Sequence, residues 1–137
     1  MGADRPVDPE KQSVSDVSMT GALMIRWTGV VRGREGKALE VYGRALELYE
    51  GLAEEGRLSG HRDYLAVTGQ GGGFVLVEGP LAELLALVAS PNHLRIRDEA
   101  AAVLDDVEMQ IFAGGSDRTA EEMLQSYAAG LADLGYL

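Results

Sequence analysis

The chain carries two histidines and no cysteine. Acid–base chemistry near neutral pH therefore rests on His61, His93 and their neighbours. A thiolate nucleophile, a disulfide frame and a Cys-ligated zinc or iron–sulfur centre are excluded. His93 stands in Ser90-Pro91-Asn92-His93, where proline interrupts a Leu-rich helical pattern and helix then resumes. A histidine at such a break can face a cavity under the helix, orient a substrate and take a proton. It can equally be a helix-start residue, solvated or capping its own backbone. Asn92, the chain's one asparagine, is a second polar candidate beside it. His61 opens Gly60-His61-Arg62-Asp63-Tyr64. On a strand the i, i+2 spacing places His61 and Asp63 on one face, as a ligand-binding pair or as a surface pair at a strand edge. Two histidines this far apart do not make a recognisable metal site, and no metal is expected.

Trp27 and Tyr64 fall on strand-like segments and could line a pocket for a planar ligand, or pack as ordinary core or interface aromatics. Tyr42 and Tyr49 lie seven apart on one helix face. Arg26, if turned into a cavity, needs a carboxylate partner such as Glu108 or Asp63. The glycine-rich stretches do not add a nucleotide site. Arg32-Gly33-Arg34-Glu35-Gly36-Lys37 has Val31 where a phosphate-binding loop needs glycine and Ala38 where it needs Ser or Thr. Gly69 to Gly73 sits between two strands and reads as a hairpin turn. No Gly-x-Ser-x-Gly elbow occurs.

The elements that must position these residues are legible. With 137 residues, 46% hydrophobic and 25% charged, the chain has the size and composition of one globular domain with its own core. Residues 1–20 read as a tail, with two prolines and no apolar period. A strand is expected over 22–31 and a helix over 35–55, apolar at helical spacing and stopped by Gly56. Strands follow over 61–68 and 74–78, then a second helix from Leu81 to about Leu104, broken at Ser90-Pro91. A last strand covers 107–113. A C-terminal helix occupies 116–137, capped by Ser116 or Thr119.

The order is β-α-β-β-α-β with one added helix. It predicts an α+β, ferredoxin-like sandwich over residues 21–115: a four-stranded antiparallel sheet with both helices on one face. The other sheet face is then bare and partly apolar, which predicts a homodimer through the sheet faces. The break at Ser90-Pro91 is the expected mouth of any cavity between sheet and helices. The C-terminal helix is expected to pack on its own or the partner subunit.

The net charge is −10 and no tight basic cluster offsets it, so neither nucleic acid nor an anionic membrane is an expected partner. The N-terminal residues lack the apolar stretch of a secretory signal, and without cysteine the expected compartment is the cytoplasm.

Over about residues 22–113 the pattern resembles the dimeric α/β-barrel superfamily, in particular its antibiotic biosynthesis monooxygenase-like domains. The features shared are the first strand, the long Leu-rich helix, the glycine hairpin and the broken second helix, SPNHLRIRDEAAAVLDDVEMQIF. The resemblance implies a cofactor-independent, monooxygenase-like domain that acts on or binds a small aromatic or polyketide-like molecule. In it His93 would take a phenolic proton, and Trp27, Tyr64, Asn92 and His61 would contact the ligand. No cofactor is expected on that reading. A non-catalytic structural or interaction protein is the alternative. A haem-binding relative is a third reading; it implies an asparagine on the first strand, where this chain carries Trp27.

Overall fold

Alternating burial along the strands fixes which way each side chain points. In the computed structural model, which describes residues 19–69 and 71–137, Leu23 and Ile25 are buried while Met24 and Arg26, the residue after each, are not. The same parity repeats in Val75 and Val77. Period-two alternation of this kind marks a sheet covered on one face.

Four strands form that sheet: β1 (Thr20–Trp27), β3 (Gly60–Leu65), β4 (Gly73–Pro80) and β6 (Glu108–Ala113). The order is β3-β4-β1-β6 and every neighbour is antiparallel. The first strand is shorter than the expected 22–31 at one end and longer at the other. It starts at Thr20 and stops at Trp27, and Gly29–Val30 forms a separate bridge, β2, to β5 (Leu104–Asp105). The rest of the tail read over 1–20 lies outside the described residues.

Three helices cover the odd-numbered face: α1 (Glu35–Glu54), α2 (Leu81–Ala89) and α3 (Pro91–Val103). Val41, Ala45 and Tyr49 of α1, Leu84 and Leu87 of α2, and Ile96, Ala100 and Val103 of α3 join Leu23, Ile25, Val75 and Val77 in one core. The break between α2 and α3 is local chemistry. Ser90 is extended (φ −73°, ψ 146°), its hydroxyl donates to the Leu87 carbonyl at 2.7 Å, and its oxygen accepts from the His93 backbone N–H at 3.3 Å. Pro91, lacking an N–H, takes the first helical position at no cost. The cap turns His93 inward.

The hairpin between β3 and β4 depends on Gly72 (φ +83°), where a Cβ would sit 2.4 Å from the Trp27 carbonyl oxygen. That close approach couples the turn to the Trp27 end of β1. The C-terminal helix α4 (Asp117–Asp133) is pinned at its start, where buried Thr119 accepts from the Thr20 N–H at 3.0 Å. Beyond that turn Leu124 and Tyr127 are exposed. This is the ferredoxin-like arrangement that the element order predicts, with its extra C-terminal helix. No helix among the described residues is long and apolar enough to cross a membrane.

Candidate functional site

The sheet and its helices do not close completely. Between β1, β4 and β6 on one side and α1 and α3 on the other lies a cavity of about 350 Å³. Its wall is almost wholly apolar, with Ile25, Val75, Ala45, Ile96, Ala100 and Met109 contributing. Leu39, Leu65 and Val30 also line it and are exposed, so the cavity opens past them. That opening corrects the expected mouth: Ser90 and Pro91 are not part of the lining, since Pro91 and Asn92 face outward and only His93 turns into the helix layer there. A cavity of this volume lies at the small end of the range that holds organic ligands.

Three aromatic side chains with polar tips line it: Trp27, Tyr42 and Tyr49. Trp27 and Tyr42 meet edge to face at 6.2 Å. The two phenols occupy one face of α1, two helical turns apart, and each is bound to a different partner.

Tyr49 is fully buried, and its hydroxyl lies 2.8 Å from His93 Nε2, also fully buried. Burial pushes the Tyr49 hydroxyl up from its ordinary value. Burial, helped by the Arg97 charge, pulls His93 down to about 4. Both groups are therefore neutral at pH 7. A neutral imidazole nitrogen either donates or accepts, so the proton of this bond can lie on either side.

Tyr42 differs. Its hydroxyl donates to Asp63 Oδ2 at 2.7 Å. Asp63 Oδ1 lies 2.7 Å from His61 Nδ1, and His61 Nε2 lies 3.2 Å from Glu50 Oε2. Both ring nitrogens face carboxylates, which only accept, so both donate and the ring is an imidazolium. Burial works against that charge, but hydrogen bonds and Coulomb attraction from Asp63 and Glu50 outweigh it and raise His61 above its ordinary value.

The structure thus gathers some of the sequence-chosen residues and separates others. Trp27 lines the cavity. His93 does not; it stands behind Tyr49. His61 pairs with Asp63 at the α1–β3 seam. Asn92 is exposed at the start of α3 and is not in the lining. Tyr64 has even parity, so it projects from the opposite sheet face and stacks on Phe74 at 4.8 Å. Arg26 is on that face too and pairs with Glu108 at 2.8 Å. Tyr42, Tyr49 and Glu50 are the residues whose part was not assigned from sequence. Their helical spacing was visible, but their partners come from β3 and α3. Haem iron does not fit here, because His93 is walled off and its Nε2 is committed to Tyr49. Among the described residues no cluster of three His, Cys, Asp or Glu side chains is arranged to hold a metal ion.

No family model matches the chain, and no curated protein does. Solved structures do match. SnoaB, a cofactor-independent oxygenase from Streptomyces nogalater, superposes with a TM-score of 0.57 at 12% identity, over 72% of this chain and 96% of that one. A candidate antibiotic biosynthesis monooxygenase from Nitrosomonas europaea gives 0.56 at 10% identity, over 72% and 92%. A dimeric protein of unknown function with a ferredoxin-like fold, from Bacteroides fragilis, gives 0.51 at 11% identity, over 69% and 96%. The fold is ferredoxin-like. The resemblance to the monooxygenase-like domains holds at that level, and a shared fold does not carry a shared reaction.

Proposed function

We propose that this chain binds a small, planar, largely apolar molecule in the cavity and oxidises it as a cofactor-independent monooxygenase-like domain. The observation that carries the reading is the cavity itself, an almost wholly apolar wall in which Trp27, Tyr42, Tyr49 and Glu35 are the lining residues that carry a polar group. A flat aromatic ligand fits such a wall, and Trp27 and Tyr42 supply edge and face contacts. The reaction class is proposed by analogy with SnoaB, a cofactor-independent oxygenase that shares the fold at 12% identity.

His93 would act through Tyr49. A substrate hydroxyl hands its proton to the Tyr49 oxygen while the Tyr49 proton passes to His93 Nε2, leaving a substrate oxyanion that can give electrons to dioxygen. With His93 at about 4, forming the imidazolium at pH 7 costs roughly 4 kcal/mol. That cost still permits turnover at ordinary enzymatic rates if the substrate hydroxyl is acidic.

Pairing of two chains through the even-numbered sheet face belongs to the same proposal. Met24, Leu76, Phe74, Tyr64 and Phe112 form an apolar stripe there, framed by the Arg26–Glu108 and Arg62–Glu78 pairs. Two structural neighbours are described as dimeric.

Trp27 is the chain's only tryptophan and lines the cavity, so its fluorescence responds to a ligand entering there. Titration with 1-naphthol is expected to quench it saturably, and Ala45→Leu, which fills the cavity, to abolish the effect. Oxygen uptake with a polycyclic hydroxyaromatic, in the absence of added metal or flavin, is expected to fall at least tenfold in His93→Ala. Quenching that does not saturate, or that survives Ala45→Leu, rules out the ligand site. Uptake unchanged in His93→Ala rules out the proton path.

A further inference from the structure

We infer that Tyr42 sets the ligand preference of the cavity: Asp63, oriented by His61, holds the Tyr42 proton, so the cavity selects ligands that bring an O–H or N–H donor over those that bring a carbonyl.

The inference rests on the cavity being a ligand site and goes one step further, to the chemistry of what it takes. The argument is one of donor and acceptor inventory. A phenol has one proton to give. Tyr42 gives it to Asp63 Oδ2. Asp63 cannot return one, because its other oxygen is held by the His61 ring and a carboxylate only accepts. His61 in turn is anchored on Glu50, so the acceptor oxygen is fixed from two sides. Burial, the Asp63 hydrogen bond and the Asp63 charge all push the Tyr42 hydroxyl up, which keeps the proton where it is. What remains on the Tyr42 oxygen is a lone pair.

The other polar groups of the lining do not impose the same choice. The Tyr49 oxygen shares a proton with a neutral imidazole and can donate or accept. Glu35 accepts, but it is exposed at the mouth and is engaged by the Gly33 N–H at 3.0 Å. Trp27 contributes an indole N–H, a donor, and so pulls the preference the other way. The Tyr42–Asp63–His61–Glu50 chain therefore acts as a specificity device spanning α1 and β3, with Tyr42 as its tip.

The test compares three probes of one shape: naphthalene, 1-naphthol and 1-naphthaldehyde, with dissociation constants from equilibrium dialysis against the full chain. Differences in water affinity between probes cancel when each is referred to a variant. In Tyr42→Phe the advantage of 1-naphthol over naphthalene is expected to fall roughly tenfold, the worth of one buried hydrogen bond, while naphthalene binds as before. In Asp63→Asn the new amide can donate to the Tyr42 oxygen and free its proton, so 1-naphthaldehyde is expected to gain at the expense of 1-naphthol. The second variant keeps the test valid if the first does not fold. An unchanged 1-naphthol advantage in both variants overturns the inference and leaves the cavity reading standing. A wild-type preference for 1-naphthaldehyde also overturns it and assigns the choice to the Trp27 N–H. Failure of every probe to bind overturns the cavity reading and this inference with it.

Discussion

Lowering the pH from 7.5 to 4.5 should cost this protein stability through one residue. His93 is fully buried beside Tyr49, and its folded value lies near 4 against about 6.5 when unfolded. Between those two values the unfolded chain binds a proton that the folded chain refuses. Stability therefore rises with pH across the window and falls as pH drops through it. Integrating the linkage from pH 7.5 to 4.5 with those two values gives a loss of about 2.5 kcal/mol. His61 works in the opposite sense: its folded value is raised, so its stabilisation is complete below pH 6.5 and is lost only as pH rises through the higher folded value. It therefore adds no slope between pH 6.5 and 4.5. The assay is urea unfolding of wild type and His93→Phe at pH 7.5, 6.5, 5.5 and 4.5. The variant leaves the Tyr49 hydroxyl without its partner at every pH, a constant penalty of about 1–3 kcal/mol. Carboxylates common to both proteins cancel in the difference. The wild-type advantage over the variant should shrink by about 2.5 kcal/mol between pH 7.5 and 4.5. A difference that stays flat to within about 0.5 kcal/mol would show that His93 is not held neutral, and the account of the Tyr49–His93 pair would fall with it.

Two further outcomes test other parts of the structure. Gly72→Ala places a Cβ against the Trp27 carbonyl in a backbone conformation that L residues rarely adopt; we expect a loss of about 1–3 kcal/mol in urea unfolding and a shifted Trp27 emission, whereas wild-type values would mean the turn does not press on β1. Phe112→Lys puts a charge into the apolar stripe of the open sheet face. Sedimentation should then report a monomer with 1-naphthol binding retained; a variant that sediments like wild type removes that face from the interface.

The layout of the fold was readable because it depends on local rules. Strand alternation, the helical stripe of α1, Gly56 as a stop and the Ser90-Pro91 cap each act within a few residues, and each element formed close to where those rules put it. Parity alone decided one outcome that residue type could not. Tyr64 is aromatic and polar-tipped like Tyr42, yet an even position on β3 sends it to the opposite face from Asp63. The identity of a residue named the chemistry available, and the pleat chose which side of the sheet received it. The site needed more than parity. Tyr42 meets Asp63 across 21 positions and Tyr49 meets His93 across 44. Neither pair has a local signature, since α1 could be rotated by one residue without disturbing any element boundary. What fixes the rotation is the core. Val41, Ala45 and Tyr49 are buried at fourfold spacing, and that stripe carries Tyr42 toward β3 and turns the Tyr49 hydroxyl to α3. The two phenols then differ only in what waits for them: an ionised carboxylate clamped by an imidazolium for one, a neutral imidazole for the other. That difference turns two identical side chains, one heptad apart, into a fixed acceptor and an adaptable group on the wall of one cavity.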